Sequence, residues 1–221
     1  MAKTGTVKIA PSILSADFGC LAEEIRKIEK DADFLHIDVM DGHYVPNISF
    51  GVPIVCSIRP RTDLPFDVHL MITNPLDFIE PFAVAGADYI TVHIETVDDP
   101  AEAIRLIHSY GKKAGLSIHP DTDIESVFPY LLQADLILIM SVYPGFGGQS
   151  FLKEAPERIH IIRSKLDEIG SEALLSVDGG ISEQTAPLAV AAGATLLVTG
   201  KAVFGALDPV EMIRRLKACD G

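Results

Sequence analysis

Eight short apolar runs recur along the chain and each reads as a buried strand: Val7–Leu14, Phe34–Val39, Phe66–Met71, Tyr89–His93, Lys113–Ile118, Leu136–Ser141, Leu174–Asp178 and Thr195–Thr199. Leu136-Ile137-Leu138-Ile139-Met140 shows no polar alternation, as expected of a strand covered on both faces. Between the runs lie segments of helical period. In Asp17–Lys30 the apolar residues Phe18, Leu21, Ile25 and Ile28 keep one face. Pro75–Ala85, Pro100–Tyr110, Asp123–Leu131, Ala155–Ile169 and Glu183–Ala192 are the other predicted helices, entered through Pro, Asp or Ser as helix starts prefer.

Strand and helix alternate throughout, which predicts a (β/α)8 barrel at 221 residues, a little short of the usual ~250. A doubly wound open sheet is the alternative, with fewer strands. Ala85-Gly86-Ala87 recurs as Ala192-Gly193-Ala194, each time between helix and strand, with glycine suited to the helix C-cap. No linker, charge block or low-complexity tract interrupts the pattern, so a single domain over residues 1–221 is expected.

Composition narrows the partners. A net charge of −13 argues against nucleic acid and anionic membranes, and it obliges any anionic substrate to find a local positive field. No apolar stretch approaches the roughly 20 residues of a membrane span. Three cysteines, Cys20, Cys56 and Cys219, have no paired spacing; a disulfide framework is not expected. Cys20 and Cys56 are read as small buried hydrophobes. These features, and a first strand only a few residues from Met1, lead us to expect a cytoplasmic protein.

Polar residues at strand ends break the apolar pattern. His36 and Asp38 lie two apart in an otherwise buried run, on one face of the strand. An unpaired buried carboxylate costs several kcal/mol, so a compensating partner is implied. Asp67 and His69 repeat the signal, and Asp178 ends a further strand ahead of Gly179-Gly180. Barrel active sites are built at these C-terminal strand ends. Two imidazoles and two carboxylates suit a divalent cation of the zinc, iron, cobalt or manganese type. A buried His–Asp pair that merely supports the barrel would explain one strand end but not three. Asp67 either orients a ligand histidine from behind or is a solvent-linked barrel residue. His93 and Glu95 either line the site or bond locally.

Three glycine-rich loops follow the sixth, seventh and eighth strands: Gly145-Phe146-Gly147-Gly148, Gly179-Gly180 and Gly200-Lys201. Backbone amides unobstructed by side chains at such turns are where barrels hold phosphate. Met40, Met71 and Met140 end strands; they are either core filler or an adaptable apolar lining of the barrel mouth.

The runs Ala10–Asp17 (APSILSAD), His36–Asn47 (HIDVMDGHYVPN), Asp67–Met71 (DVHLM), Pro144–Gln149 (PGFGGQ) and Val177–Ile181 (VDGGI) resemble those of the ribulose-phosphate 3-epimerase family, in order and over essentially the whole chain. The resemblance implies a single (β/α)8 TIM barrel of the ribulose-phosphate-binding type. It implies interconversion of D-ribulose 5-phosphate and D-xylulose 5-phosphate at C3, in carbohydrate metabolism of the pentose phosphate or Calvin cycle type. D-Allulose 6-phosphate is the alternative substrate. One divalent ion per subunit is implied, with zinc first and iron, manganese or cobalt as alternatives. Surface helices such as Asp17–Lys30 suit a symmetric interface, and a homo-oligomer is expected. His36, Asp38, His69 and Asp178 would be the metal ligands, Asp38 and Asp178 the acid/base pair, and Ser12, His69 and the three methionines substrate contacts. Gly200-Lys201 stands where many relatives have Gly-Ser, and His119 where they often have Asn.

Overall fold

The computed structural model describes residues 7–220. Eight parallel strands form one sheet: β1 (Lys8–Pro11), β2 (Leu35–Met40), β3 (Phe66–Met71), β4 (Tyr89–His93), β5 (Lys113–Ile118), β6 (Leu136–Met140), β7 (Leu174–Asp178) and β8 (Leu196–Thr199). Their order is β1-β8-β7-β6-β5-β4-β3-β2. The two ends meet without a full ladder. The Ile9 carbonyl accepts from the Asp33 and Phe34 amides, and Ser12 bridges to His36. The result is a nearly closed (β/α)8 TIM barrel.

Eight helices are described outside it: α1 (Leu21–Ile28), α2 (Val52–Ile58), α3 (Leu76–Ala85), α4 (Pro100–Ser109), α5 (Ala155–Ile169), α6 (Ala186–Ala191), α7 (Lys201–Phe204) and α8 (Pro209–Lys217). In α1, Ile25 and Ile28 turn inward, Glu23 and Glu24 occupy the first turn and Arg26 and Lys27 the last, each charge complementing the helix dipole. Gly86 and Gly193 take left-handed φ values of 109° and 110° behind α3 and α6, the C-terminal role their shared motif predicts.

Several boundaries differ from the sequence reading. The first strand stops at Pro11, because Ser12 caps a 3-10 turn over Ile13–Ser15. Residues 123–131 form a 3-10 helix, Ile124–Tyr130, rather than an α-helix; Pro129 within it has no N–H to extend an α-helical ladder. The sequence pattern shows neither α2, a seven-residue helix carrying Pro53, nor α7 and α8. Cys20 is only partly buried and Cys56 is exposed, so neither is a core residue. No described helix is long and apolar enough to cross a membrane.

Alternation along each strand separates two apolar populations. Ile137, Ile139, Leu197 and Ile37 pack with the helices, whereas Leu136, Leu138, Met140, Leu196, Val198 and Ala10 form a second cluster inside the barrel. That inner cluster comes mainly from β6, β8 and β1. On β2, β3 and β4 the buried polar residues His36, Asp38, Asp67, His69, Thr91 and His93 interrupt the apolar strands. Buried polar groups persist only when hydrogen-bonded or ligating, so this half of the barrel is where chemistry is to be sought.

Candidate active site

Parallel register sets the polar residues side by side. His36 stands opposite Asp67, and Asp38 opposite His69. His36 Nδ1 donates to Asp67 Oδ2 at 2.8 Å, and Thr91 Oγ1 donates to Asp67 Oδ1 at 3.1 Å. Asp67 therefore orients His36, a neighbour across the sheet, and not His69, its companion on the same strand face. It is also fully buried, with no link to solvent. The other edge of His36 turns to the rim, with Nε2 3.2 Å from Asp38 Oδ1. His69 Nδ1 lies 3.3 Å from the same oxygen and 4.0 Å from Asp178 Oδ2.

One donor atom from each of His36, Asp38, His69 and Asp178 lies within 4.8 Å of the others. Two imidazole nitrogens and two carboxylate oxygens at this spacing fit a divalent cation, and Asp67 behind His36 is the outer support such ligands carry.

The cluster is electrostatically polarised. Burial opposes the charged form of His36, but the Asp38 and Asp67 carboxylates outweigh it and hold the imidazole well above its usual pKa. Burial would lift Asp38, yet the His36 charge and hydrogen bonds from His36 and His69 hold it well below the usual carboxylate range. Asp178 moves the other way: burial first, then the negative charge of Asp38, raises it. Burial lowers His69.

Above the cluster opens a cavity of about 570 Å³. Ser12, Asp38, Met40, Met71, Met140 and Asp178 form its floor and sides, while the loops Gly145–Gly148, Gly179-Gly180 and Gly200-Lys201 form its rim. The methionines thus stand at the mouth, buried to within a few per cent. Gly180 has φ +63°, and a Cβ there would sit 2.4 Å from Phe151 N, so backbone meets backbone at the rim. Ser141 Oγ ties the β6 end to the Asp178 and Gly179 carbonyls at 2.9 and 2.7 Å. Asn47 Nδ2 reaches across the mouth to the Gly145 carbonyl at 2.8 Å.

The sequence reading does not single out Leu14, Ser15, Val142, Phe151 or Thr185, which also line the cavity. Ser15 sits inside the APSILSAD run, which is a legible cue; the others have ordinary residue types. His93 and Glu95 lie outside the cavity lining, behind His69, and His119 is outside it as well.

Residues 8–204 match the ribulose-phosphate 3 epimerase family model. The chain belongs to this family. With it the chain joins the epimerases, a class of isomerase. Ribulose-phosphate 3-epimerase of Bacillus subtilis (strain 168) is 48% identical over 213 residues, covering 96% of this chain and 98% of that protein. The cytoplasmic isoform of ribulose-phosphate 3-epimerase from Oryza sativa subsp. japonica is 44% identical over 223 residues, covering 98% and 96%. Among solved structures, KGPDC from Streptococcus mutans aligns with a TM-score of 0.68 at 14% identity, covering 98% of both chains. The 3-hexulose-6-phosphate synthase of Salmonella typhimurium aligns with a TM-score of 0.64 at 22% identity, covering 96% and 97%. These two likenesses concern the barrel alone; what marks the chain as a ribulose-phosphate 3-epimerase relative is its sequence kinship.

Proposed function

We propose that the protein interconverts D-ribulose 5-phosphate and D-xylulose 5-phosphate by moving a proton at C3 between two aspartates. The observation that carries this reading is the placement of two carboxylates, Asp38 from β2 and Asp178 from β7, at the floor of one cavity.

Inverting C3 requires a base on one face of the carbon and an acid on the other, because one group cannot reach both. Asp38 comes from β2 and Asp178 from β7, strands separated round the rim by β1 and β8. Asp38 removes the C3 proton and Asp178 delivers one to the opposite face of the flat enediolate; the return reaction exchanges the roles. Each such positioned group contributes about 10²–10⁴-fold. A divalent ion held by His36, Asp38, His69 and Asp178 supplies Lewis-acid stabilisation of the negative charge developing on the sugar oxygens.

Ser12 fixes Asp38 and contacts substrate from the cavity wall, and His69, buried beneath the lining, meets it where the cavity floor opens. Met40, Met71 and Met140 exclude water from the reacting carbon. The phosphate is held by amides of Gly145, Phe146, Gly147, Gly148, Gly179, Gly180 and Gly200 and by the Lys201 ammonium, which answers the repulsion expected from a chain of net charge −13. Zinc is the first ion to test, given the mixed nitrogen and oxygen donors. A single catalytic domain, a homo-oligomeric assembly, a cytoplasmic location and a place in pentose phosphate interconversion complete the reading. The name of the rice relative supports the location.

Proton exchange at C3 in deuterated water tests it, with and without exhaustive chelation. Exchange into both pentulose phosphates that is lost with the metal and restored by zinc is expected, with slower turnover of D-allulose 6-phosphate. Full exchange in protein verified metal-free would overturn the metal's role, and no exchange in loaded protein would overturn the activity.

A further inference from the structure

His69 is not backed by a carboxylate as His36 is. Its Nε2 lies 2.8 Å from Nε2 of His93, a fully buried residue one strand along on β4. Two imidazole nitrogens at this separation share one proton, so one donates and the other accepts. The far edge of His93 decides which. Its Nδ1 lies 3.2 Å from Glu95 Oε2 and 2.9 Å from the Tyr44 hydroxyl, and that hydroxyl itself donates to Glu95 Oε2 at 3.4 Å. Glu95 is held in turn by the His119 amide, which donates to Oε1 at 2.9 Å. A carboxylate can only accept, so His93 carries its proton on Nδ1 and presents a bare Nε2 to His69. With an ion at the site His69 then carries its own proton on Nε2 and offers an unprotonated Nδ1; without one, Asp38 Oδ1 at 3.3 Å competes for a proton on that nitrogen.

We infer that His93 and Glu95 are positioning residues for the metal centre, a relay His69–His93–Glu95 that fixes which nitrogen of His69 faces the ion. This rests on the metal reading above. Reversed, the relay would place a proton on Nδ1, and His69 could not ligate. The two ligand histidines are thus oriented by different means, His36 directly by Asp67 and His69 through a second imidazole. Outer partners of ligand histidines are typically worth 10–100-fold in metal affinity.

Two measurements on the full-length protein test the relay. In zinc-loaded protein, nitrogen-15 spectra of the histidine rings are expected to show His93 as the Nδ1–H tautomer beside an Nε2–H His69. Cobalt(II) titration should show 10–100-fold weaker binding and shifted visible bands in H93F and E95L, neither of which keeps the acceptor, with part of the affinity recovered in H93Q, whose amide can still accept. A purely structural role for His93 would not predict that rescue. An Nε2–H tautomer of His93, or wild-type cobalt affinity and spectrum in E95L, would overturn the relay. E95L carries the test alone if H93F does not fold. A wild-type protein that binds zinc and cobalt no better than D38N would instead overturn the metal reading.

Discussion

Ser12 Oγ donates to Asp38 Oδ2 at 2.5 Å, while Asp38 Oδ1 faces His36 Nε2 and His69 Nδ1 at 3.2 and 3.3 Å. The two oxygens of one carboxylate thus have separate surroundings, one toward the histidines and one toward the rim. On the proposed mechanism Asp38 would ligate through one oxygen and handle a proton with the other. S12A should therefore lower kcat about tenfold, the size of one hydrogen bond to a charged group, with little change in metal content. Unchanged kcat in S12A would remove Ser12 from the catalytic arrangement.

D38N and D178N should each lose about 10²–10⁴-fold in kcat. Thermal melting and metal analysis must accompany the kinetics. Near-wild-type turnover in either variant with its ion bound would rule out a two-aspartate mechanism.

Gly180 offers a test of the phosphate rim. Its φ of +63° and the backbone of Phe151, 2.4 Å from N and 2.7 Å from Cα of a built Cβ, leave no room for a side chain. G180A should cost about 1–3 kcal/mol of stability. It should also raise KM for the phosphorylated sugar while leaving the poor activity on unphosphorylated ribulose unaltered. An equal effect on both substrates would place the phosphate elsewhere.

Lys201 reaches over Gly148 at the same rim, where a Cβ on that glycine would lie 3.2 Å from Lys201 Cδ. K201A should raise KM about tenfold at low salt, and the gap to wild type should narrow as salt screens the ammonium. A salt-independent gap, or none, would show that the charge does not meet the phosphate.

Buried His93 adds a signature in acid. Burial lowers its pKa from 6.5 to about 4, so unfolding takes up a proton between those values. The unfolded state binds more protons there, and stability falls as pH drops from 6.5 toward 4. The slope contributed is at most about 1.4 kcal/mol per pH unit. Denaturant melts of metal-free wild type and H93Q across this window should diverge by that slope. Parallel curves would mean His93 titrates normally.

Much of the barrel is legible in the chain. Strands such as Leu136–Met140 are apolar at every position, which marks a parallel sheet covered on both faces, and eight strand–helix units favour closing it into a barrel. The site is legible because His36, Asp38, His69 and Asp178 are costly to bury without partners. Helices are harder to read. Val52–Ile58 is short and carries Pro53, and packing on the barrel supports it more than its own propensity does. Residues 124–130 keep apolar spacing, yet they form a 3-10 helix that contains Pro129.

Partner choice lay beyond the sequence. Alternation along a strand determines by itself that His36 and Asp38, or Asp67 and His69, share a face, because side chains repeat every two residues. It does not say how far one parallel strand slides against the next. That register comes from closing the barrel and packing its helices, and it sets Asp67 beside His36 and Asp38 beside His69. It also brings His93, separated from His69 by 24 residues, to within 2.8 Å. The sequence determined which residues had to find partners; the tertiary structure decided which partners they found.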